Sequence, residues 1–130
     1  MSVLARLADA VLGPRVPPQA LPGAPLPPGV VVRRNRWIPA IGGVTGNMRG
    51  SAAAVTLGGT ILVHPDAGID AGLLVHELVH VRQWRGDRLF AVKYAAEWVR
   101  RGYWQNRYEV EAYDVERRFR AQESTEPRIP

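Results

Sequence analysis

The chain has 130 residues, no cysteine and a formal net charge of +5 at pH 7. This length suits a single domain, and the lack of cysteine excludes disulfides, thiolate metal ligands and thiol catalysis, so any metal must be bound by histidine and carboxylate side chains. No apolar run approaches the ~20 residues of a membrane span, and the first residues are not expected to form a secretory signal peptide.

The positive charge comes from arginines, since Lys93 is the only lysine. The arginines are scattered, with small groups at residues 33–36 and 117–120, and no aromatic residues alternate with them as stacking platforms for bases. They therefore predict a solvated basic surface, with no nucleic-acid partner and no expected membrane association. We expect a cytoplasmic protein, with export by a non-classical route left open.

Residues 1–28 are expected to precede the folded domain. Apolar residues at helical spacing over positions 2–12 predict a short amphipathic helix that ends at Gly13-Pro14. Docking of this helix on its own domain or on a partner is favoured over contact with a membrane surface. Residues 14–28 contain so many prolines that they must be extended, which predicts a linker or a strap across the domain surface.

The folded domain is predicted to span residues 29–122, followed by a flexible tail over 123–130. The segments "VVVRR" (30–34) and "RWIPAIGG" (36–43) indicate short strands or extended pieces. The order of strands first and helices afterwards predicts an α+β domain with segregated layers.

A β-hairpin is the clearest strand signal. Two apolar, β-branched runs, Ala53 to Leu57 and Thr60 to His64, meet at Gly58-Gly59. This dipeptide suits a two-residue hairpin turn that requires positive φ.

Three helices are predicted after the hairpin, over about 70–85, 87–101 and 106–122. Asp70 is a good N-cap for the first helix, and Gly86 is expected in the left-handed conformation at its C-terminus. We expect the tryptophans on and between these helices, Trp84, Trp98 and Trp104, to lie in the core.

The segment "LLVHELVHVRQW" (73–84) places His76 and His80 on one side of the first of these helices, with Glu77 beside them. This H-E-x-x-H arrangement supplies two zinc ligands and a carboxylate that can take a proton from metal-bound water. Leucine and valine surround the motif, which predicts a buried helix. Burying these polar groups is costly unless something such as zinc satisfies them.

A third metal ligand is expected, because catalytic zinc is held by three protein side chains. The only other histidine is His64, so a carboxylate from "NRYEVEAYDVE" (106–116) is the better source. The candidates are Glu109, Glu111, Asp114 and Glu116. Periodicity leaves Glu109 and Glu111 both open, and Glu109 could instead be a capping-box residue for a helix that begins at Asn106.

The segment "HELVHVRQW", followed by "NRYEVEAYDVE", resembles the gluzincin zinc metallopeptidases. It is most similar to their small single-domain bacterial members, the minigluzincins, and to the HExxH domains associated with extracellular contractile injection systems. The resemblance implies that Glu109 is the third ligand and that Ala112 lets the helices approach. It places Tyr113 where that family usually has an aspartate. The implied fold is a small zincin-like domain, in which a short antiparallel sheet or hairpin packs on the HExxH helix and two further helices.

The resemblance implies zinc-dependent peptide-bond hydrolysis with one zinc ion per chain. His76, His80 and Glu109 would hold the zinc, and Glu77 would act as general base on zinc-bound water and pass the proton to the leaving amine. A peptide or protein substrate could pair with the free edge of the hairpin, or the hairpin could simply cover the helix.

A hydrogen-bond donor to the developing oxyanion is also expected. The candidates are Tyr103, Tyr108, Tyr113 and His64. The alternative function is a catalytically weak or silent protein-interaction module that zinc stabilises.

Overall fold

The computed structural model describes residues 2–23, 25–37 and 54–125. The elements in chain order are α1 (Val3–Leu12), a 3-10 turn (Pro18–Ala20), β1 (Val31–Arg34), β2 (Ala54–Leu57), β3 (Thr60–Val63), α2 (Ala71–Gly86), α3 (Phe90–Arg101) and α4 (Arg107–Thr125). This order confirms the α+β class. Most of the predicted "RWIPAIGG" piece and the last five residues of the predicted tail lie outside the described residues.

The sheet has three strands in the order β1-β3-β2. Strands β2 and β3 form the predicted antiparallel hairpin, in which Leu57 pairs with Thr60 across the turn. Gly58 has φ +63°, and a Cβ on Gly59 would lie 2.9 Å from the carbonyl oxygen of Gly29, so each position favours glycine for a different reason.

The sheet is mixed, whereas the expected sheet was antiparallel. Strand β1 runs parallel to β3, with Val31 opposite Thr60. Residues 35–53 connect β1 to the hairpin and are long enough for the crossover that a parallel pair requires. The strand's own sequence carries no signal for this direction, because the pairing is set by non-local packing.

The Pro-rich segment is a strap rather than a free linker. The Val16 amide donates to the Val32 carbonyl at 2.8 Å, and the Arg34 amide donates to the Pro14 carbonyl at 3.0 Å, so the segment runs beside β1. The half-buried side chains that pack against the core from this segment are Val16, Leu21 and Leu26.

Helix α1 contacts the domain through polar groups. Arg33 donates to Asp9 at 2.6 Å, and the side chain of Asn35 donates to the Leu12 carbonyl at 3.0 Å. The apolar residues of α1, from which docking was predicted, do not make this contact. Those that are exposed are Val3, Leu4, Leu7 and Val11. Among the described residues, no helix is both long and apolar enough to cross a membrane.

Helix α2 is the central element, buried between the sheet and α4. Asp70 caps it as predicted, accepting a hydrogen bond from the Leu73 amide at 2.7 Å. The prediction of a left-handed Gly86 is wrong, because Gly86 ends the helix without positive φ and Asp87 follows in extended conformation. Asp87 then accepts from the Leu89 amide at 2.8 Å, so the chain turns directly into α3.

Candidate metal centre

Three buried side chains meet where α2 and α4 pack together. The Nε2 atoms of His76 and His80 each lie 3.1 Å from Oε1 of Glu109. All three residues are at most 6% exposed, and together they form a group that could hold a metal ion. Ligand atoms around a tetrahedral zinc, at bond lengths of ~2.0 Å, are roughly 3.3 Å apart, so this donor set fits such an ion.

The positions of these side chains follow from the two helices. His76 and His80 are four residues apart on α2 and therefore point the same way. Ala112 is completely buried on α4, and its small side chain allows the close helix approach that brings in Glu109. Asn106 caps α4 by accepting from the Tyr108 amide at 3.0 Å, while its own backbone amide donates to the Tyr103 carbonyl at 3.2 Å. Glu109 is therefore not used as a capping-box residue.

The outer ring nitrogens have partners that fix the orientation of both histidines. His76 Nδ1 lies 2.9 Å from Oε1 of Glu116, and His80 Nδ1 lies 2.8 Å from Oε1 of Gln83. The amide nitrogen of Gln83 donates to the Tyr108 carbonyl and to Glu111, which leaves its oxygen facing His80. Each Nδ1 therefore faces a hydrogen-bond acceptor, so with a metal bound each ring would keep its hydrogen on Nδ1 and offer the lone pair of Nε2 to the ion.

The four candidate carboxylates have different partners in the structure. Glu109 and Glu116 contact the histidines. Glu111 is exposed, accepts from Arg82 at 2.8 Å and touches the cluster only through Gln83. Asp114 forms surface ion pairs with two arginines. Helical periodicity did not distinguish Glu109 from Glu111 as the third ligand. In the structure Glu109, and not Glu111, contacts the histidines.

Glu77 is 2% exposed and faces β2. The Thr56 hydroxyl donates to its Oε2 at 2.7 Å. Burial raises the pKa of Glu77, and the nearby charges of His80 and His76 and the Thr56 hydrogen bond only partly oppose this. Glu77 therefore has the fixed direction and the increased proton affinity that suit a general base.

Among the predicted oxyanion donors, the structure brings Tyr103 and Tyr113 to the cluster. The Tyr103 hydroxyl donates to Glu109 Oε1 at 3.3 Å and lies 3.1 Å from the Tyr113 hydroxyl. The Tyr113 ring packs edge-on against the His76 ring, with centroids 4.4 Å apart.

The other two oxyanion candidates have different partners. Tyr108 accepts from Arg107 at 2.7 Å, and its ring packs on Phe90. His64 lies in the turn after β3, where its Nδ1 accepts from the Asp66 amide at 3.0 Å. Neither residue belongs to the metal-binding group found among the described residues.

Tyr94 is a partner of Glu109 that the sequence did not predict. Its hydroxyl donates to Glu109 Oε2 at 2.6 Å, so both oxygens of this carboxylate have partners. Tyr94 follows the buried Phe90 by one helical turn on α3. That spacing predicts an inward position, but nothing in the sequence distinguishes a phenol at the site from a core aromatic.

An open groove of about 470 Å³ is bordered by Tyr113 and Glu116, the two residues of α4 that contact the outer side of His76. Its lining consists of Trp104, Val110, Tyr113, Glu116, Arg117 and Arg120. Trp104 is 58% exposed and stacks on Tyr113, so the expectation that it lies in the core is wrong. It stands in the turn before α4, where a ring can cover a neighbouring aromatic without entering the core, whereas Trp84 and Trp98 are half-buried.

The electrostatics of the cluster favour an anionic Glu109 beside a cationic His80. Burial alone would lower the pKa of His80, but the hydrogen bond to Glu109 and the charges of Glu77 and Glu109 outweigh it and raise the pKa to about 9. Burial opposes ionisation of Glu109, yet the hydrogen bonds from His76 and His80 hold its pKa well below the usual range.

A metal ion that binds His80 through Nε2 would displace a proton near neutral pH, because Nε2 must be free of hydrogen to bind a metal. Since the pKa of His80 is raised to about 9, its protonation stabilises the fold of the metal-free protein; this stabilisation is complete below pH about 6.5 and is lost as the pH rises through about 9. Because the proton must leave, the affinity for added zinc should increase by up to about tenfold per pH unit over that range. Calorimetric titrations in buffers of different ionisation enthalpy count the released protons, and zinc binding without proton release would contradict this charge assignment.

A known family model matches the part of the chain that contains the hairpin and α2. Residues 45–88 match the model of the eCIS core domain. The match includes the β2–β3 hairpin and the helix that carries His76, Glu77 and His80, and it ends before Glu109. It agrees with the expected similarity to domains associated with extracellular contractile injection systems. No curated protein and no solved structure matches the chain.

Proposed function

We propose that this protein is a small zinc-dependent peptidase of the gluzincin type, with its metal held by His76, His80 and Glu109. The main support for this proposal is that three buried ligand atoms lie close together. The Nε2 atom of each histidine is 3.1 Å from Oε1 of Glu109. Burying ionisable groups costs several kcal/mol each unless they are paired, and a shared cation compensates for that cost.

The surrounding side chains have roles that suit hydrolysis. A bound zinc ion would polarise the scissile carbonyl and lower the pKa of the attacking water. Glu77, whose carboxylate is oriented by Thr56, would be the residue that takes a proton from the attacking water and returns it to the leaving nitrogen. Tyr103 and Tyr113 stand beside His76 and Glu109, where a hydroxyl can donate to developing negative charge.

The substrate is a peptide or protein, and we infer that it lies in the groove lined by Trp104 and Tyr113 rather than along β2. In a two-residue hairpin the Leu57–Thr60 pair is hydrogen-bonded, so the Thr56 carbonyl points away from β3. The indole of Trp84 donates to that carbonyl at 3.1 Å. The Thr56 carbonyl is therefore already bonded, whereas a peptide pairing with the edge of β2 would need it as an acceptor. This favours the interpretation in which the hairpin covers α2.

The match to the eCIS core domain supports a protein assembly as the partner. We infer that this protein works in association with a contractile injection system, which is a multiprotein assembly.

A second function, a silent metal-stabilised interaction module, is favoured by one observation. His76 is 1% exposed and Glu77 is 2% exposed, and structural zinc sites are closed whereas catalytic sites keep an open coordination position. Under this interpretation the metal stabilises the packing of α2 against α4, and the groove binds a partner without cleaving it.

Incubation with a broad peptide library tests the proposal against this alternative. Peptidase activity should appear in zinc-loaded protein, disappear after treatment with a chelator and return when zinc is restored, because the metal supplies the electrophile. Cleavage that survives complete metal removal would contradict the proposed mechanism. Zinc-loaded protein that cleaves no peptide would favour the interaction module.

A further inference from the structure

The sequence leaves His76 without the carboxylate partner that a metal-binding histidine normally has, because Tyr113 stands at the position where an aspartate was expected. In the structure this partner is Glu116, whose Oε1 lies 2.9 Å from His76 Nδ1. Glu116 follows Glu109 by seven residues, or two helical turns, so both carboxylates project from the same side of α4. The imidazole of His76 therefore lies between the carboxylates of Glu109 and Glu116, which both belong to α4.

Glu116 is itself held in place by Arg120. The Nε atom of Arg120 donates to Glu116 Oε2 at 2.8 Å, and its two terminal nitrogens donate to the two oxygens of Asp70 at 3.1 and 3.2 Å. Asp70 is the N-cap of α2 and also accepts from the Leu73 amide at 2.7 Å. A continuous set of charged hydrogen bonds thus joins the start of α2 to the outer nitrogen of His76.

Gly72 provides the space for this arginine. A Cβ at Gly72 would lie 2.3 Å from Arg120 Cζ, so the guanidinium group lies directly on the first turn of α2. Gly72 does not have positive φ, and glycine lowers helix stability relative to alanine at such a position. The absence of a side chain at Gly72 therefore allows Arg120 to lie in this position, and a Cβ there would displace the end of the arginine.

We propose that Glu116 is the positioning residue for His76 and that Arg120, seated on Gly72, fixes the direction of the Glu116 carboxylate. The anionic oxygen keeps the hydrogen of His76 on Nδ1 and makes Nε2 a stronger donor to a cation. Arg120 keeps Glu116 from turning towards solvent in the adjacent groove. This inference rests on the proposed metal site and adds to it a support that reaches from α4 to the first turn of α2.

Competition for zinc with a chromophoric chelator measures the effect of each substitution. Glu116→Gln, which keeps the shape and removes the charge, should weaken zinc affinity about 10- to 100-fold. Arg120→Met and Gly72→Ala should each weaken it by a smaller factor, because Glu116 remains but is no longer held. Arg118→Met, which removes an exposed arginine paired with Asp114, serves as the matched control and should bind zinc as wild type does.

Two further readouts separate positioning from general damage to the fold. The double variant Gly72→Ala/Arg120→Met should bind zinc like Arg120→Met alone, since both substitutions remove the same contact. Cobalt-loaded Glu116→Gln should show a shifted visible absorption spectrum, because the charge beside a metal-binding imidazole has changed, while Arg118→Met should not.

The inference is overturned if Glu116→Gln binds zinc with wild-type affinity and an unshifted cobalt spectrum while His76→Ala has lost the metal; the metal site would then stand without this support. If the wild-type protein binds no zinc, the inference and the proposed function fail together.

Discussion

Glu109→Gln is expected to weaken zinc affinity by more than about 100-fold, beyond the range typical of residues that only support a ligand. The substitution replaces the one anionic member of the group His76, His80 and Glu109 by a neutral amide, although the side chain keeps its size. A buried divalent ion would then have only neutral ligands, and the carboxylates of Glu77 and Glu116 would compensate its charge only from outside the ligand set. Zinc titration of the purified variant measures the loss.

Glu111→Gln is the matched control for this substitution. Glu111 lies two residues away on the same helix, but it is exposed and bonded to Arg82 and Gln83. Its replacement should weaken zinc affinity far less than Glu109→Gln does, because the introduced amide oxygen can still accept from Gln83 and no metal ligand is changed. The assignment of the third ligand is wrong if Glu111→Gln loses zinc and Glu109→Gln retains it.

Glu77→Gln is expected to retain the metal and to reduce peptide hydrolysis by about 10²- to 10⁴-fold, the usual contribution of a general base. The introduced glutamine would fill the same buried space, and its amide oxygen could still accept the Thr56 hydrogen bond. The variant should therefore fold and bind zinc normally while lacking the group that takes the proton. Parallel measurements of zinc content and peptide cleavage test both parts.

Glu123→Gln, an exposed substitution near the end of α4, is a suitable control for this activity measurement. It should match wild type in zinc content and cleavage. Equal cleavage by wild type and Glu77→Gln would exclude Glu77 as the base. Cleavage by neither protein would leave the metal site intact and support the interaction module.

The helix that carries the two histidines was predictable because its signals are local. An N-cap at Asp70, histidines at i and i+4 and a surrounding run of leucine and valine all lie within the 16 residues of α2 or directly before it. The hairpin was predictable for the same reason, since two β-branched runs flank a Gly-Gly turn. Neither element depends on a distant part of the chain for its basic conformation.

Features that depend on contacts between distant segments were harder to predict. The parallel pairing of β1 with β3 is set by tertiary packing rather than by strand sequence. The Glu116 contact with His76 depends on how α4 crosses α2, so the sequence offered Glu116 only as one of four carboxylates. Trp104 was misplaced because its hydrophobicity predicts burial, although its turn position allows it to stack on Tyr113 at the surface.

The metal content of the purified protein is the decisive measurement for this site. We expect one zinc ion per chain, retained through gel filtration, removed by a chelator and taken up again with the same stoichiometry. We further expect that His76→Ala, purified in the same way, contains none. A folded wild-type protein that is purified without metal and takes up no added zinc would show that His76, His80 and Glu109 do not form a zinc site.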